Sequence, residues 1–317
     1  MERPTLSIVL PIFNEEGTIP ELERRLGELF AEIDESWEVV FVDDGSRDGS
    51  LALLRDLCAR EPRYRLLALS RNFGHQAAIT AGIDRAAGEA VVVMDADLQD
   101  PPELVRRMIA TWREGYDVVY AVREARDGES WFKRTTAAAF YRLLRMLIGI
   151  DIPLDAGDFR LMSRPVVSAM RALRETHRFV RGMVAWVGFR QTAVFYRRAA
   201  RHAGATKYPL RKMLAFALDG ITSFSIVPLR IATWLGILSG VMGIGTGAWA
   251  IWTKAVNRAT VPGWTTIMIA VSLGVSAQLL MTGILGEYVG RIYEEVKRRP
   301  LYLVAEERNF PAPEPPP

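Results

Sequence analysis

Asp95 and Asp97 are the residues whose type and spacing most directly suggest chemistry. They close the run Val91-Val92-Val93-Met94-Asp95-Ala96-Asp97-Leu98-Gln99-Asp100-Pro101-Pro102, where a short apolar stretch ends in two carboxylates one residue apart. Side chains at i and i+2 of an extended segment point the same way, so both can converge on one divalent ion. Like charges this close repel each other unless a cation or ligand lies between them. A solvated acidic turn after a strand would carry the same tripeptide, so the surroundings must decide.

Those surroundings repeat one pattern. Leu6-Ser7-Ile8-Val9-Leu10 reads as a strand that stops at Pro11, followed by the polar turn Asn14-Glu15-Glu16-Gly17 and helical periodicity over Ile19 to Ile33. Glu38 to Val42 ends in Asp43-Asp44-Gly45-Ser46 before a helix over Asp48 to Ala59. Arg65 to Leu69 ends in Ser70-Arg71-Asn72 before a helix over His75 to Ala87. Ala90 to Met94 ends in the acidic motif before a helix over Pro102 to Glu114, and Val118 to Ala121 makes a fifth strand. This alternation predicts an α/β domain with a mainly parallel sheet covered on both faces. Such sheets bind ligands beyond the carboxyl ends of their strands. Asn14, Glu15, Asp43, Asp44, Arg71, Asp95 and Asp97 all follow those ends. No G-x-G-x-x-G and no G-x-x-x-x-G-K-[ST] follows the first strand, which argues against a dinucleotide fingerprint or a P-loop. Carboxylates, cations and a metal are expected to hold the ligand instead.

Composition narrows the class. Of 317 residues, 50% are hydrophobic and 24% charged, which excludes a disordered chain. A net charge of only +3 sets no expectation of a nucleic-acid partner. The single cysteine, Cys58, excludes an internal disulfide and a multi-cysteine metal site, and the three histidines are too scattered to suggest zinc ligation. The strand pattern begins at Leu6 with no signal-peptide pattern before it, so the first domain is expected on the cytosolic side.

Beyond the fifth strand, Ser130 to Leu147 is a basic, aromatic-containing helical pattern that includes Lys133. Met170 to Trp186 reads as helical and Phe189 to Tyr196 as a strand. Arg197 to Tyr208 is a basic, glycine-containing loop whose cations suit an anion clamp. Composition then shifts. Leu210 to Leu229 reads as an interfacial helix. Ile231 to Thr253 and Ala259 to Gly286 contain no charged residue. The first, at ~1.5 Å per residue, spans ~34 Å, enough for a hydrocarbon core. The sequence thus divides into a catalytic-type domain over 1–208, a juxtamembrane helix over 209–230, membrane helices over 231–253 and 265–286 joined by an external loop over 254–264, and a tail over 287–317. Arg211, Lys212 and Arg230 before the first span, and Arg291, Lys297, Arg298 and Arg299 after the second, predict cytosolic termini in a two-span protein of the cytoplasmic membrane. Gly236-x-x-x-Gly240 and Gly243-x-x-x-Gly247 offer faces for self-association into a homo-oligomer. The proline-rich end, Pro311 to Pro317, is expected to be disordered.

In combination, Ser7 to Glu16, Val42 to Ser50, Ser70 to Gly74 and Asp95 to Pro101 resemble a family 2 glycosyltransferase of the GT-A fold. Gly157-Asp158-Phe159-Arg160-Leu161-Met162, the Arg201-to-Tyr208 loop and the two apolar spans narrow the resemblance to the polyprenyl-phosphate glycosyltransferases, the bactoprenol glucosyltransferase and dolichyl-phosphate-mannose-synthase-like branch. The Q-x-x-R-W motif of processive polysaccharide synthases is missing, since Gln191 is followed by Thr-Ala-Val-Phe. The resemblance implies inverting transfer of a hexose from a nucleotide-sugar, with UDP-glucose the leading donor, to a polyprenyl phosphate such as undecaprenyl phosphate. It implies Mg²⁺ or Mn²⁺ at Asp97 with Asp95 beside it. Pro11, Asn14, Glu15, Asp43, Asp44, Asp95 and Gln99 are the expected nucleotide-sugar contacts, Asp43 ahead of Asp44. Asp158, with Asp155 as competitor, is expected to face the acceptor as base or orienting group. Arg123, Lys133, Arg201 and Lys207 are the candidate phosphate-holding cations. A membrane-tethered binding scaffold without turnover is the competing class.

Overall fold

A computed structural model describes residues 3–123, 156–196, 227–257 and 263–311. Lys133, Asp155, Arg201, Lys207 and most of the expected interfacial helix lie outside the described residues.

Strand and helix alternate as β1 (Leu6–Ile12), α1 (Ile19–Ala31), β2 (Trp37–Asp43), α2 (Ser50–Arg60), β3 (Tyr64–Leu69), α3 (His75–Arg85), β4 (Ala90–Val93), α4 (Leu104–Arg113) and β5 (Val118–Arg123). After the undescribed stretch come β6 (Ala156–Ser163), α5 (Arg164–Ala172), α6 (Val180–Trp186) and β7 (Gln191–Tyr196). Then follow α7 (Val227–Asn257), α8 (Trp264–Val296) and β8 (Val304–Arg308). Hydrophobic spacing explains the helices: α1 buries Ile19, Leu22, Leu26 and Leu29, one every three to four residues, with a proline in its first turn. All seven residues of β1 are buried, as expected of a strand covered on both faces.

The eight strands form one sheet in the order β7-β5-β6-β4-β1-β2-β3-β8. Neighbours β4, β1, β2 and β3 are mutually parallel, and β5 is parallel to β7. Strands β6 and β8 run antiparallel to their neighbours. This is the mainly parallel α/β sheet of a GT-A-like fold, with two strands reversed. Helix α3 settles onto β1 because position 82 is glycine; a Cβ there would lie 2.2 Å from the Val9 side chain.

Three segments differ from the expectation. The helix expected over Met170 to Trp186 is two helices, because α5 starts at Arg164, with a proline in its first turn, and ends at Ala172. The Gly157-to-Met162 motif, assigned no element in advance, is strand β6. Part of the expected tail is β8, which covers the edge of β3. Leu303 O accepts the Ser70 N–H at 2.8 Å, Arg55 pairs with Glu306 at 2.5 Å, and the Asn309 amide donates to Cys58 O and Tyr64 O at 2.7 and 2.8 Å.

The chain forms two compact units. The first holds the sheet, including β8. In the second, α7 and α8 leave apolar side chains outward: Ile244 is 76% exposed and Leu279 67%. Leu229–Trp249, within α7, is the one stretch among the described residues long and apolar enough to cross a membrane. Helix α8 contains the second expected span and continues beyond it to Val296, past Glu287, Arg291, Glu294 and Glu295.

Candidate active site

The strand exits build the site. β1, β2, β3, β4, β5 and β7 all end at one edge of the sheet. Antiparallel β6 starts there, so its first residues arrive where its neighbours finish. The pairing Val93↔Arg160 sets the end of β4 beside the start of β6, and Asp95 and Asp158 both lie within 3.4 Å of His75 Nε2. Arg123 and Tyr196 end β5 and β7 in register at this edge.

An open pocket of about 380 Å³ lies there, walled by Pro11, Phe13 and Glu15 from β1, Asp44 from β2, His75 from α3, and Asp95 and Asp97 from β4. The first two exits brace each other. Ser46 Oγ and Ser50 Oγ accept the N–H groups of Asn14 and Glu15 at 3.0 and 2.8 Å, and Asn14 Oδ1 accepts the Arg47 N–H at 2.8 Å. Asn14 has a φ of +57°, a left-handed conformation that asparagine tolerates better than most residues. Its side chain therefore shapes the loop, while Glu15 reaches the pocket wall. Of the two aspartates at β2, Asp44 and not Asp43 lines the pocket. Asp43 turns to the Ser46 N–H at 3.3 Å. Asp44 accepts the N–H groups of Phe73 and Gly74 at 2.7 and 3.0 Å. Burial raises its pKa, partly offset by those two bonds. Asp44 thus both caps the approach to α3 and faces the cavity.

Asp97 accepts the Gln99 N–H at 3.0 Å, closing a turn in which Leu98 sits at φ +55°. A left-handed leucine costs roughly 1–2 kcal/mol, strain of the kind stored where a side chain must be aimed. Gln99 thus supplies its backbone to the turn; its side chain is not on the wall. The turn is anchored behind by Asp100, which is buried and accepts a hydrogen bond from the Tyr196 hydroxyl at the end of β7.

Asp158 is only 5% exposed and saturated with donors. Arg181 gives it a two-pronged contact, Nε to Oδ1 at 2.8 Å and Nη2 to Oδ2 at 3.2 Å. His75 Nε2 is 3.3 Å from Oδ2. Burial alone would raise its pKa, but the His75 and Arg181 hydrogen bonds and the nearby Arg160 charge outweigh it, holding Asp158 well below the usual carboxylate range. Arg160 is itself fully enclosed, its pKa lowered by burial to about 10. Asp95 is the opposite case. Its Oδ1 is buried with no hydrogen-bond partner, and burial, reinforced by Asp158, Asp97 and Asp100, lifts it to about 6. His75 lies 3.4 Å from that oxygen.

The structure therefore brings together Pro11, Glu15, Asp44, Asp95 and Asp97, with Asp158 directly behind them. His75, Arg160 and Arg181 are the residues missed in advance. A polar residue opening the helix after a strand exit was the available signal for His75. The pairing of Arg181 with a carboxylate 23 positions away left no periodic trace.

The profile of Glycosyl transferase family 2 matches residues 7–171. The chain belongs to that family. The matched span of this family 2 enzyme runs from β1 through α5 and so contains every pocket carboxylate. A Bacillus subtilis (strain 168) protein named uncharacterized glycosyltransferase YkcC is 52% identical, over 94% of this chain and 92% of the relative. The SfII prophage-derived bactoprenol glucosyl transferase of Shigella flexneri is 40% identical, over 94% and 97%. Among solved structures, a Mycobacterium tuberculosis glucosyl-3-phosphoglycerate synthase with Mn²⁺, UDP and glucosyl-3-phosphoglycerate covers 69% of this chain and 78% of its own. Its identity is 21% and its TM-score 0.45, too slight a likeness to say anything about the site.

Proposed function

We propose that this family 2 glycosyltransferase moves a hexose from a nucleotide-sugar, UDP-glucose foremost, onto the phosphate of a long polyprenol such as undecaprenyl phosphate, at the cytosolic face of the cytoplasmic membrane. The observation that carries the reading is the pairing, in one chain, of an acidic strand-exit pocket with the apolar helix Leu229–Trp249. Near-full-length similarity to a bactoprenol glucosyl transferase supports it.

In this reaction an acceptor phosphate oxygen bonds to the anomeric carbon from the face opposite the leaving group. The bond from that carbon to the diphosphate oxygen breaks and UDP departs, so the centre inverts. A phosphate monoester has a second pKa of ~6, so much of the acceptor is already dianionic at neutral pH and needs positioning more than deprotonation. That suits Asp158, which Arg181, His75 and Arg160 hold as an anion engaged on both oxygens, better in an orienting role than as a base.

Glu15, Asp44, Asp95 and Asp97 would repel a diphosphate unless a cation joins them. The partnerless buried oxygen of Asp95 fits an oxygen-seeking cation. Mg²⁺ or Mn²⁺ at such a site would be held by one or two carboxylates together with substrate phosphates. Asp97, with Asp95, would hold it, and the ion would stabilise charge on the departing diphosphate. Pro11 and Phe13 would flank base and ribose. Arg123, Lys133, Arg201 and Lys207 remain the proposed cations for donor and acceptor phosphates. Helix α8 would supply the second span, with both termini cytosolic, and the α7 glycines a surface for self-association.

The test is metal-dependent UDP release from a panel of UDP- and GDP-sugars, by protein in detergent with added polyprenyl phosphate, with the lipid product identified by mass. A hexosyl phospholipid is expected from UDP-glucose. Nucleotide binding without turnover on any donor would overturn the reading in favour of a scaffold.

A further inference from the structure

His75 stands between two carboxylates that face different duties. Its Nε2 is 3.3 Å from Asp158 Oδ2 and 3.4 Å from Asp95 Oδ1. Asp158 does not move freely, because Arg181 grips both its oxygens and it is buried. Asp95 has no such grip. Its Oδ1 is buried without a hydrogen-bond partner, and an unpartnered buried carboxylate oxygen is costly. The imidazole is half-exposed on the pocket wall at the first residue of α3. Asp44 fixes the backbone just before it through the Phe73 and Gly74 N–H groups. The ring is thus held from its backbone by Asp44 and at its tip by Asp158.

We propose that His75 is a positioning residue: the Arg181–Asp158 pair orients its imidazole, and the imidazole, 3.4 Å from Asp95 Oδ1, holds that carboxylate in place for the donor site. The inference rests on the donor-site reading above. Nε2 lies 3.3 Å from Asp158 and 3.4 Å from Asp95, so the ring acts as a spacer between the reversed strand β6 and the exit of β4. Proton transfer to the substrate is not its task. An amide of similar reach therefore suffices in its place, whereas a methyl group does not.

The experiment compares wild type, His75→Gln and His75→Ala in the full-length chain. Turnover is measured with UDP-glucose and polyprenyl phosphate, and UDP binding by calorimetry with and without Mn²⁺. Loss of one hydrogen bond to a charged group corresponds to roughly 10- to 100-fold. His75→Ala should lose that factor in kcat/KM for the donor, and Mn²⁺-dependent UDP binding should weaken in parallel. His75→Gln should stay within about fivefold of wild type in both. Thermal unfolding of the two variants should be alike, since the residue is half-exposed at a helix start. A double-mutant cycle with Arg181→Gln should show non-multiplying losses, because both residues act on one carboxylate chain. Equal damage from Gln and Ala would overturn the proposal in favour of acid–base chemistry. Unchanged UDP binding in His75→Ala would overturn it as well. An inactive wild type that still binds UDP would instead sink the transferase reading, while the binding comparison still judges His75.

Discussion

The two halves of the sheet deliver their functional groups in opposite ways. In the parallel half, β1, β2 and β4 each run to the active edge and stop, so Glu15, Asp44, Asp95 and Asp97 follow the strands and open into the pocket. In the other half, β6 enters at that edge, so Asp158 sits within the beginning of a strand, buried and enclosed by arginines. A carboxylate after a strand can be left to a ligand, because loop N–H groups or a bound cation offset its charge, as the Phe73 and Gly74 N–H groups do for buried Asp44. A carboxylate inside a central strand must be neutralised by the protein itself. The first half therefore offers charge, and the second supports it.

Substitutions can break or sharpen that contrast. Asp97→Asn should reduce lipid-product formation on the order of 10²–10³-fold or more while membrane insertion and thermal stability stay near wild type. A near-normal rate would reduce the acidic turn to a solvated loop. Asp158→Asn should act on the fold as well, by removing the carboxylate charge that faces Arg160 and Arg181, at roughly 3 kcal/mol of stability by denaturant unfolding. The sign with pH follows from its depressed folded-state pKa. The stabilising contribution is complete above the unfolded value of ~3.9 and fades as pH falls toward the folded value. The gap between variant and wild type should therefore hold constant from pH 7 to 5 and narrow below about pH 4. An undiminished gap in strong acid would contradict the ion-pair account.

These two carboxylates also mark what could be read from residues alone. Asp95 and Asp97 were legible because a strand followed by an acidic turn is a local pattern, repeated at neighbouring exits. Asp158 is legible only through its motif: the alternation of Asp158-Phe159-Arg160-Leu161 is four residues long, and its charged members are buried in the middle of the sheet, where a charged face is unexpected. The Asp158–Arg181 pair and the placing of His75 depend on β6 inserting between β4 and β5, a long-range pairing with no local signature. Which of Asp43 and Asp44 lines the pocket is not legible in the sequence, because side-chain direction at a strand's end depends on the loop that follows, here bound by Asp44 at Phe73 and Gly74.

Smaller effects probe the frame. Truncation after Arg299 removes β8 and should cost roughly 2 kcal/mol from lost edge hydrogen bonds, measured as reduced resistance to urea, with the pocket carboxylates untouched. No change would make the strand an ornament. Tyr196→Phe should cost about 1 kcal/mol by leaving the buried Asp100 short of a donor. Its larger sign should be a weaker affinity for Mn²⁺ with UDP, because the Asp97 turn loses its rear anchor.

Strand β8 also sets a schedule for biogenesis. The ribosome completes Leu69 long before Val304, with both apolar helices in between. At about 5–20 residues per second that interval lasts on the order of 10–50 s. Throughout it the β3 edge has no partner, and an open edge is an invitation to foreign strands. The β3 edge must therefore be shielded until β8 has emerged, and β8 acts as a seal that closes only on a chain translated through both α7 and α8. Arg85–Glu307 and Arg55–Glu306 are the contacts that set that seal.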